Sequence, residues 1–311
     1  MKRLSLFVLF WVAILFSASG QALETVRVGL SVRNVVFLPF YYAQDRKIFQ
    51  KNGLDVELIQ MRSDLQIVGV VSGELDFNPA IGPAIPAIGN GMPLKAVAVF
   101  YRAALFSLVS PGNMTHPKDL EGKKVAVSRI GSESHKYGML MLEKSGVNTK
   151  KVTFIQTGST AVSLTALQQG SVEAAVLSPP FTGAMAEKGF RVFMKSHDLV
   201  ESPWLGLVTS RQKIQRQPEQ VRAMIKAMRE AFASMRQDKR GLTTYIRENF
   251  KVSPTVAEES YEDIMGVALD DLIMPEPQLR NYLDSAQGRG ELSKTIAVND
   301  IVDYSLIKGM K

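Results

Sequence analysis

The sequence predicts an α/β fold built from two similar units and a helical tail. Apolar strand-like segments alternate with helical segments between residues 24 and 203, a pattern typical of βα units and a mostly parallel sheet. The alternation restarts near Pro111, which indicates two units at about 24–105 and 108–203. Beyond residue 203 the pattern is helical only. A tail of this length must pack on an existing layer, and we expect the first unit to be its host.

Composition supports a two-domain globular protein and excludes several kinds of site. The chain has 311 residues, of which 46% are hydrophobic and 22% are charged, and it contains no Cys. These fractions are ordinary for globular proteins, and the length favours two domains. The absence of Cys excludes disulfides, thiolate metal sites, Fe–S clusters, a Cys nucleophile and a lipidated N-terminal Cys.

The N-terminus has the pattern of a secretory signal peptide. Lys2 and Arg3 precede an apolar run at 4–16, and small residues follow at 17–20. This run is shorter than the roughly 20 residues that a membrane span needs. We therefore expect residues 1–22 to be removed and the mature protein to reside in the periplasm. Removal of Lys2 and Arg3 lowers the formal net charge from +7 to +5. The remaining basic residues are scattered, which argues against a nucleic-acid partner.

The first unit is predicted to contain four strands and the helices that follow them. The strands are expected at 26–30, 54–59, 75–77 and 94–100, and the helices at 37–50, at 66–72 and from Asn78 and Pro79 onward. Alternating apolar residues indicate the strands, and Gly53 marks the end of the first helical region.

The second unit repeats this arrangement. Its strands are expected at 123–128, 152–156, 174–177 and 191–194, and its helices at 131–145, 160–170 and 181–188. Ser159 or Thr160 is expected to cap the middle helix.

The tail begins with a long amphipathic helix. Its apolar residues recur at helical spacing and are Val221, Met224, Ile225, Met228, Ala231, Phe232 and Met235. Shorter helices are expected at 240–249, 255–268, 276–287 and 299–308.

No catalytic or metal-binding motif stands out. The three histidines, His116, His135 and His197, lie in none of the zinc-binding patterns, and no phosphate-loop or nucleophile motif occurs. The acidic pairs 258–259 and 270–271 lie in the helical tail and are interpreted as solvated faces. We therefore expect no metal, no cofactor and no enzymatic activity.

Five polar or Gly/Pro loops connect a strand to a helix, at 31–37, 77–83, 128–134, 157–160 and 178–182. Ligands of open α/β sheets bind beyond the carboxyl ends of the strands, where such loops lie. Helix N-termini present free N–H groups and a partial positive charge. Several of them facing one another across two units predict a cleft that favours anions.

The ordered motifs of the mature chain resemble the periplasmic substrate-binding proteins of ABC importers, specifically the nitrate/sulfonate/taurine group, whose fold also covers thiamine-precursor binders. The segments that carry the resemblance lie at 26–31, 37–43, 51–57, 73–77, 119–127, 131–135, 167–176 and 299–305, and they read VRVGLS, FLPFYYA, KNGLDVE, GELDF, DLEGKKVAV, GSESH, LQQGSVEAAV and NDIVDYS.

The resemblance implies a type II periplasmic-binding-protein fold, in which two α/β domains close on a small molecule. The chain would cross between the domains near 101–107 and 202–207. Domain I would then comprise residues 23–104 and 206–311, with the helical tail, and domain II residues 105–205. The protein would be a monomer that delivers its ligand to an inner-membrane permease. The ATPase of the importer would be a separate subunit, since this chain has no Walker A motif.

The resemblance also implies ten ligand-binding residues in the loops: Asn34, Phe37, Asn78, Ala80, Ile81, Arg129, Ser132, His135, Pro180 and Phe181. Asn34 and Ser132 could bind an oxyanion, and Arg129 could pair with a carboxylate or sulfonate. Three alternatives stay open. Phe37 could be a core residue, and Ser132 could serve only to cap its helix. Trp204, where the chain crosses between the domains, could pack against that hinge instead of stacking on a ligand.

The apolar loop at 77–93 favours an organic anion, such as a sulfonate or an aromatic carboxylate, over nitrate; a neutral pyrimidine-like or flavin-like ligand is an alternative.

Two other functions remain open. One is an enzyme related to the thiamine-pyrimidine synthases, which share the fold. The other is a periplasmic ligand sensor.

Overall fold

A computed structural model describes residues 23–310, without the side chains of residues 63 and 64. The expected signal peptide at 1–22 lies outside the described residues. The strands are β1 (Glu24–Leu30), β2 (Leu54–Gln60), β3 (Asn78–Ala80), β4 (Leu94–Val99), β5 (Ser107–Ser110), β6 (Lys124–Val127), β7 (Thr153–Gln156), β8 (Ala174–Leu177), β9 (Arg191–Lys195) and β10 (Leu205–Ser210).

The helices alternate with the strands up to β10 and then follow one another. They are α1 (Leu38–Asp45), α2 (Ile48–Lys51), α3 (Ser63–Ser72), α4 (Ile81–Gly89), α5 (Glu133–Lys144), α6 (Thr160–Gln168), α7 (Phe181–Ala186), α8 (Arg211–Arg216), α9 (Pro218–Gln237), α10 (Lys239–Phe250), α11 (Pro254–Val267), α12 (Glu276–Gly288), α13 (Val298–Ile301) and α14 (Ser305–Lys308). No helix among the described residues is long and apolar enough to cross a membrane.

The strands form two sheets with the same order. In the first sheet β1 pairs in parallel with β2 and reaches β3 through a parallel bridge between Val28 and Phe77, while β10 lies between β3 and β4 and is antiparallel to both. The order is β2-β1-β3-β10-β4. In the second sheet the order is β7-β6-β8-β5-β9, with β5 antiparallel to β8 and β9. We call the elements packed on the first sheet the first lobe and those on the second sheet the second lobe.

The antiparallel strands β5 and β10 are absent from the sequence prediction. Each begins just after the chain passes from one sheet to the other, and each lies between two strands of the sheet that it joins. Their hydrogen-bond partners are distant in sequence, so local periodicity does not reveal them.

Three element boundaries differ from the prediction. The strand predicted at 75–77 lies instead at residues 78–80, as β3, and α4 begins only at Ile81, because Asn78 and Ala80 pair with β10. The predicted helix at 37–50 is broken between α1 and α2 at Lys47, whose φ of 58° lies in the left-handed region. The last predicted helix is divided into α13 and α14.

Of three hydrophobic clusters among the described residues, one runs through both lobes. It extends from Val28 in the first sheet, through Tyr101 and Trp204 in the connecting segments, to Val127 in the second sheet. The tail joins this core, since the apolar face of α9 is fully buried and α9 contacts α1, α2 and β2. The tail therefore packs mainly on the first lobe, with α11 reaching across to α7.

Candidate ligand-binding site

The carboxyl edges of the two sheets face each other, and Asn34 bridges them. Asn34 follows β1, and its Nδ2 donates a hydrogen bond of 3.2 Å to Oγ of Ser178, which follows β8. Its Oδ1 accepts from the backbone N–H of Val36 at 3.1 Å and caps the short helical turn at Val35–Phe37. Both side chains are buried, so this bond between the lobes is shielded from water. Asn34 therefore links the two lobes directly.

The predicted residues after β3 shape the start of α4. Asn78 Oδ1 accepts from the N–H of Ala80 at 3.0 Å, and Asn78 Nδ2 donates to the carbonyl of Ala80 at 3.3 Å. The N–H of Ile81 donates to the carbonyl of Trp204 at 3.0 Å. Asn78 and Ile81 are buried. These polar groups are therefore occupied by contacts within the protein.

Three serine hydroxyls gather at the start of α5. Ser128 Oγ lies 2.8 Å from Ser134 Oγ and 3.1 Å from Ser132 Oγ, and the last two are 3.0 Å apart. Ser132 occupies the N-cap position but its hydroxyl makes no capping bond to the helix; it donates to the carbonyl of Arg129 at 2.6 Å. Because hydroxyls rotate and can donate or accept, this cluster can turn donors toward an oxyanion.

The other two polar candidates of this loop, Arg129 and His135, differ in environment. Arg129 is exposed, and within the described residues its guanidinium has no hydrogen-bond or ion-pair partner. His135 is partly buried and packs edge-on against Phe154 with ring centroids 4.6 Å apart. Its Nδ1 accepts from the N–H of Gly131 at 3.2 Å, and burial lowers its pKa. The neutral imidazole therefore carries its proton on Nε2, as a donor.

The aromatic and proline candidates pack within the lobes. Phe37 is 5% exposed and belongs to the core, which is the alternative that the sequence left open. Phe181 packs against the core of the second lobe, and Pro180 follows a cis peptide bond with Pro179 at the start of α7. Trp204 packs against Tyr101 and Phe106. The interpretation of Trp204 as a packing residue therefore fits its environment.

Sequence reasoning missed Glu133, whose carboxylate lies between the lobes. Glu133 is the first residue of α5, and its side chain reaches Gly82 of α4 in the first lobe. Its pKa is raised to about 7: burial and, to a smaller extent, nearby Glu291 raise it, whereas Lys136 and the Trp204 side chain lower it. In sequence Glu133 resembles an ordinary acidic residue of a first helical turn, so no local signal separates it from a capping residue.

A cavity of about 290 Å³ lies between α7 and β9 of the second lobe and α11 of the tail. Its lining includes Pro179, Thr182 and Gly183 on one side and Glu259 and Asp263 on the other. The acidic pair 258–259, interpreted from sequence as a solvated face, thus borders a cavity between the lobes. Within residues 23–310 no group of three His, Asp or Glu side chains is placed to hold a metal ion.

Solved structures with the same fold include binding proteins and an enzyme. The alkanesulfonate-binding protein SsuA from Xanthomonas axonopodis pv. citri, bound to MOPS, superposes with a TM-score of 0.75 and 18% identity over 90% of this chain and 98% of that one. The periplasmic aliphatic sulphonate binding protein SsuA from Escherichia coli gives 0.72 and 19% over 92% and 99%. The desulfurization enzyme DSZB gives 0.70 and 12% over 92% and 98%.

These likenesses confirm the predicted α/β periplasmic-binding-protein fold. A search among curated proteins found no match. The family model described as NMT1/THI5 like matches residues 34–240, which is more than half of the chain. This protein therefore belongs to the NMT1/THI5-like family.

Proposed function

We propose that this protein is the solute-binding component of an ABC import system, and that it captures a small organic anion, of sulfonate or carboxylate type, by closure of its two lobes. The observation that carries the proposal is the buried hydrogen bond between Asn34 and Ser178. It joins the carboxyl edges of the two sheets, which is where ligands of open α/β sheets bind. A ligand at this place would contact both lobes at once.

The domain division follows the two sheets. We propose residues 23–104 and 206–311 as domain I and residues 105–205 as domain II. In support, β4 of the first sheet ends at Val99 and β5 of the second begins at Ser107. On the return, β9 ends at Lys195 and β10 begins at Leu205. The two connecting segments would act as the hinge, and closure would exchange contacts between the lobes for contacts with the ligand.

The ligand chemistry follows from the donors at this edge. The hydroxyls of Ser128, Ser132 and Ser134 and the amide of Asn34 would bind the oxygens of a carboxylate or sulfonate. The guanidinium of Arg129 would add a charge-assisted pair. His135 would contribute its Nε2 proton. Of the remaining predicted residues, Asn78, Ala80, Ile81, Pro180 and Phe181 would form the walls of the site, and Phe37 would support them from the core.

The wider setting is part of the same proposal. Residues 1–22 would direct export and be removed, and the mature monomer would work in the periplasm. The ligand-bound form would dock on a membrane permease that is driven by a separate ATPase subunit. The likeness in fold to periplasmic sulphonate-binding proteins supports this setting.

A thermal-shift screen of the purified protein tests the binding role. The panel contains nitrate, bicarbonate, taurine, alkanesulfonates, aromatic carboxylates, pyrimidines and flavins. A ligand at about 100 times its dissociation constant adds roughly 2.7 kcal/mol of stability, so we expect a clear rise in Tm with at least one organic anion. Ser132→Ala should reduce that rise, while Thr165→Ala on the exposed side of α6 should not. A response to pyrimidines or flavins alone would contradict the anion class.

The same samples separate binding from catalysis. The fold also occurs in a desulfurization enzyme. A binding protein returns its ligand unchanged, so mass spectrometry after prolonged incubation should recover the intact ligand. Recovery of a product in amounts exceeding the protein would contradict the binding role.

A further inference from the structure

Two equivalent helices each place a glycine against a glutamate of the opposite lobe. Helices α4 and α7 both follow the strand at the centre of their sheet, β3 and β8 respectively. Gly82 near the start of α4 faces Glu133 of the second lobe. Gly183 near the start of α7 faces Glu259 of α11, which is joined to the first lobe through α10 and α9. The two contacts are therefore reciprocal.

Neither position has room for a side chain while the lobes are together. A Cβ on Gly82 would lie 2.7 Å from Cδ of Glu133, and one on Gly183 would lie 2.6 Å from Oε2 of Glu259 and 3.3 Å from Val256. Optimal separations between such atoms are about 3.5–4.0 Å. Because each obstructing group belongs to the other lobe, an added methyl group must displace the carboxylate or separate the lobes.

The backbone itself gives no reason for glycine here. Gly82 and Gly183 are helical and lack a positive φ. Glycine inside a helix costs about 1 kcal/mol relative to alanine. Close approach of the opposite lobe is the remaining physical reason for both residues.

The carboxylate of Glu133 is held in a crowded environment, so it has little freedom to move aside. The Trp204 side chain lies near it, on the connecting segment. Lys136 faces it from its own helix, and Tyr282 and Glu291 face it from the tail. Lys136 Nζ also lies 3.9 Å from Glu291 Oε2, which ties α5 to the tail.

We infer that Gly82 and Gly183 are positioning residues for closure: each lets a glutamate of the opposite lobe lie directly on a helix start, and together they permit the closed arrangement. This inference rests on the proposed function only in that closure is what traps a ligand. The arrangement of the lobes can be measured without any ligand.

Pulsed electron spin resonance between two labels tests the inference. The chain has no Cys, so labels attach only where cysteines are introduced. Val68 of α3 and Val162 of α6 are 57% and 50% exposed and lie in different lobes, which makes Val68→Cys and Val162→Cys a suitable pair. In this background we compare Gly82→Ala and Gly183→Ala with Gly266→Ala and Gly288→Ala, two helical glycines whose added Cβ meets open space.

We expect Gly82→Ala to move the distance distribution of the ligand-free protein away from the wild-type one. Gly183→Ala should move it less, because the exposed end of Glu259 can turn aside and only Val256 resists. Both controls should leave it unchanged. Adding Glu133→Ala to Gly82→Ala removes the obstructing carboxylate and should restore the wild-type distribution. Far-UV circular dichroism checks that each variant is folded, and Gly183→Ala tests the inference independently if Gly82→Ala does not fold. Unchanged distributions in both folded variants, or equal shifts in the controls, would overturn it.

The outcome for the proposed function is separate. If Gly82→Ala shifts the ligand-free distribution but the panel of small molecules never binds the wild type, the inference stands and the binding role fails. If a ligand binds the wild type and both glycine variants with equal affinity and equal distances, the binding role stands and the inference fails.

Discussion

At the scale of single residues, the oxygen and the nitrogen of the Asn34 side-chain amide make different hydrogen bonds. Oδ1 caps a helical turn within the first lobe, whereas Nδ2 reaches Ser178 in the second. The capping hydrogen bond is local, and an Asn just before a helical start makes it predictable. The second hydrogen bond depends on how two sheets are placed, and Ser178 was missed because a serine after a strand has no distinguishing pattern.

A double-mutant cycle measures the bond between the lobes. Asn34→Ala should lower the free energy of unfolding by about 1–2 kcal/mol, because it removes a cap and a buried hydrogen bond. Ser178→Ala should cost less, and the coupling between the two should be about 0.5–1.5 kcal/mol. Urea unfolding provides the measurement, and Asn249→Ala in α10 is the matched control. A coupling near zero would show that the two side chains do not interact in solution.

Glu133 makes the free energy of unfolding depend on pH, and the direction of that dependence follows from its raised pKa. Its pKa is about 7 when folded, against an ordinary value of 4.5. The folded state therefore binds a proton more tightly than the unfolded state, and the stability that this group contributes is fully present below about pH 4.5 and is lost as the pH rises through 7. We expect wild type to lose stability relative to Glu133→Gln between pH 5 and pH 8. His135 has the opposite sign, since its pKa is lowered, and it is common to both proteins.

At the scale of elements, α9 shows how a periodic pattern becomes packing. Every residue of the predicted apolar stripe is buried, and the helix spans Pro218–Gln237 around it. By contrast, β5 and β10 have no periodicity of their own to predict them, and only their partners on both sides make them strands.

Shortening a side chain of the apolar stripe of α9 should therefore lower the free energy of unfolding. Ile225→Ala removes a fully buried side chain that belongs to the shared core, and we expect a loss of about 2–5 kcal/mol in the free energy of unfolding. Lys226→Ala, one residue away on the exposed face, should change it by less than about 0.5 kcal/mol. Chemical denaturation compares the two, and equal effects would contradict the placement of the stripe.

At the scale of the whole molecule, the shared core predicts that the lobes unfold together. The core passes continuously through Tyr101 and Trp204 between the sheets. Trp204 is the only tryptophan of residues 23–311, so its fluorescence reports on the connecting segments. We expect its urea transition to coincide with that of far-UV circular dichroism. Two separated transitions would indicate that each lobe is stable on its own.

The fold was more predictable than the site for a physical reason. Alternation, helix caps and glycine stops are local, and they placed nearly all strands and helices within a few residues; Ser159, for example, caps α6 as expected. Contacts between the lobes join residues far apart in sequence, such as Asn34 with Ser178 and Gly82 with Glu133. No local pattern records those pairs.

By itself, the sequence determined the α/β class, the repeated unit, the amphipathic tail and the resemblance to substrate-binding proteins, because each depends on residues close together in the chain. Only the tertiary structure decided which polar groups are already occupied and which remain free. Asn78 and Ile81 are satisfied within the protein, whereas Arg129 is exposed without a partner among the described residues. A hydrogen-bonding group that is already occupied must exchange a partner before it can bind a ligand, and its partners are set by how the chain packs in space.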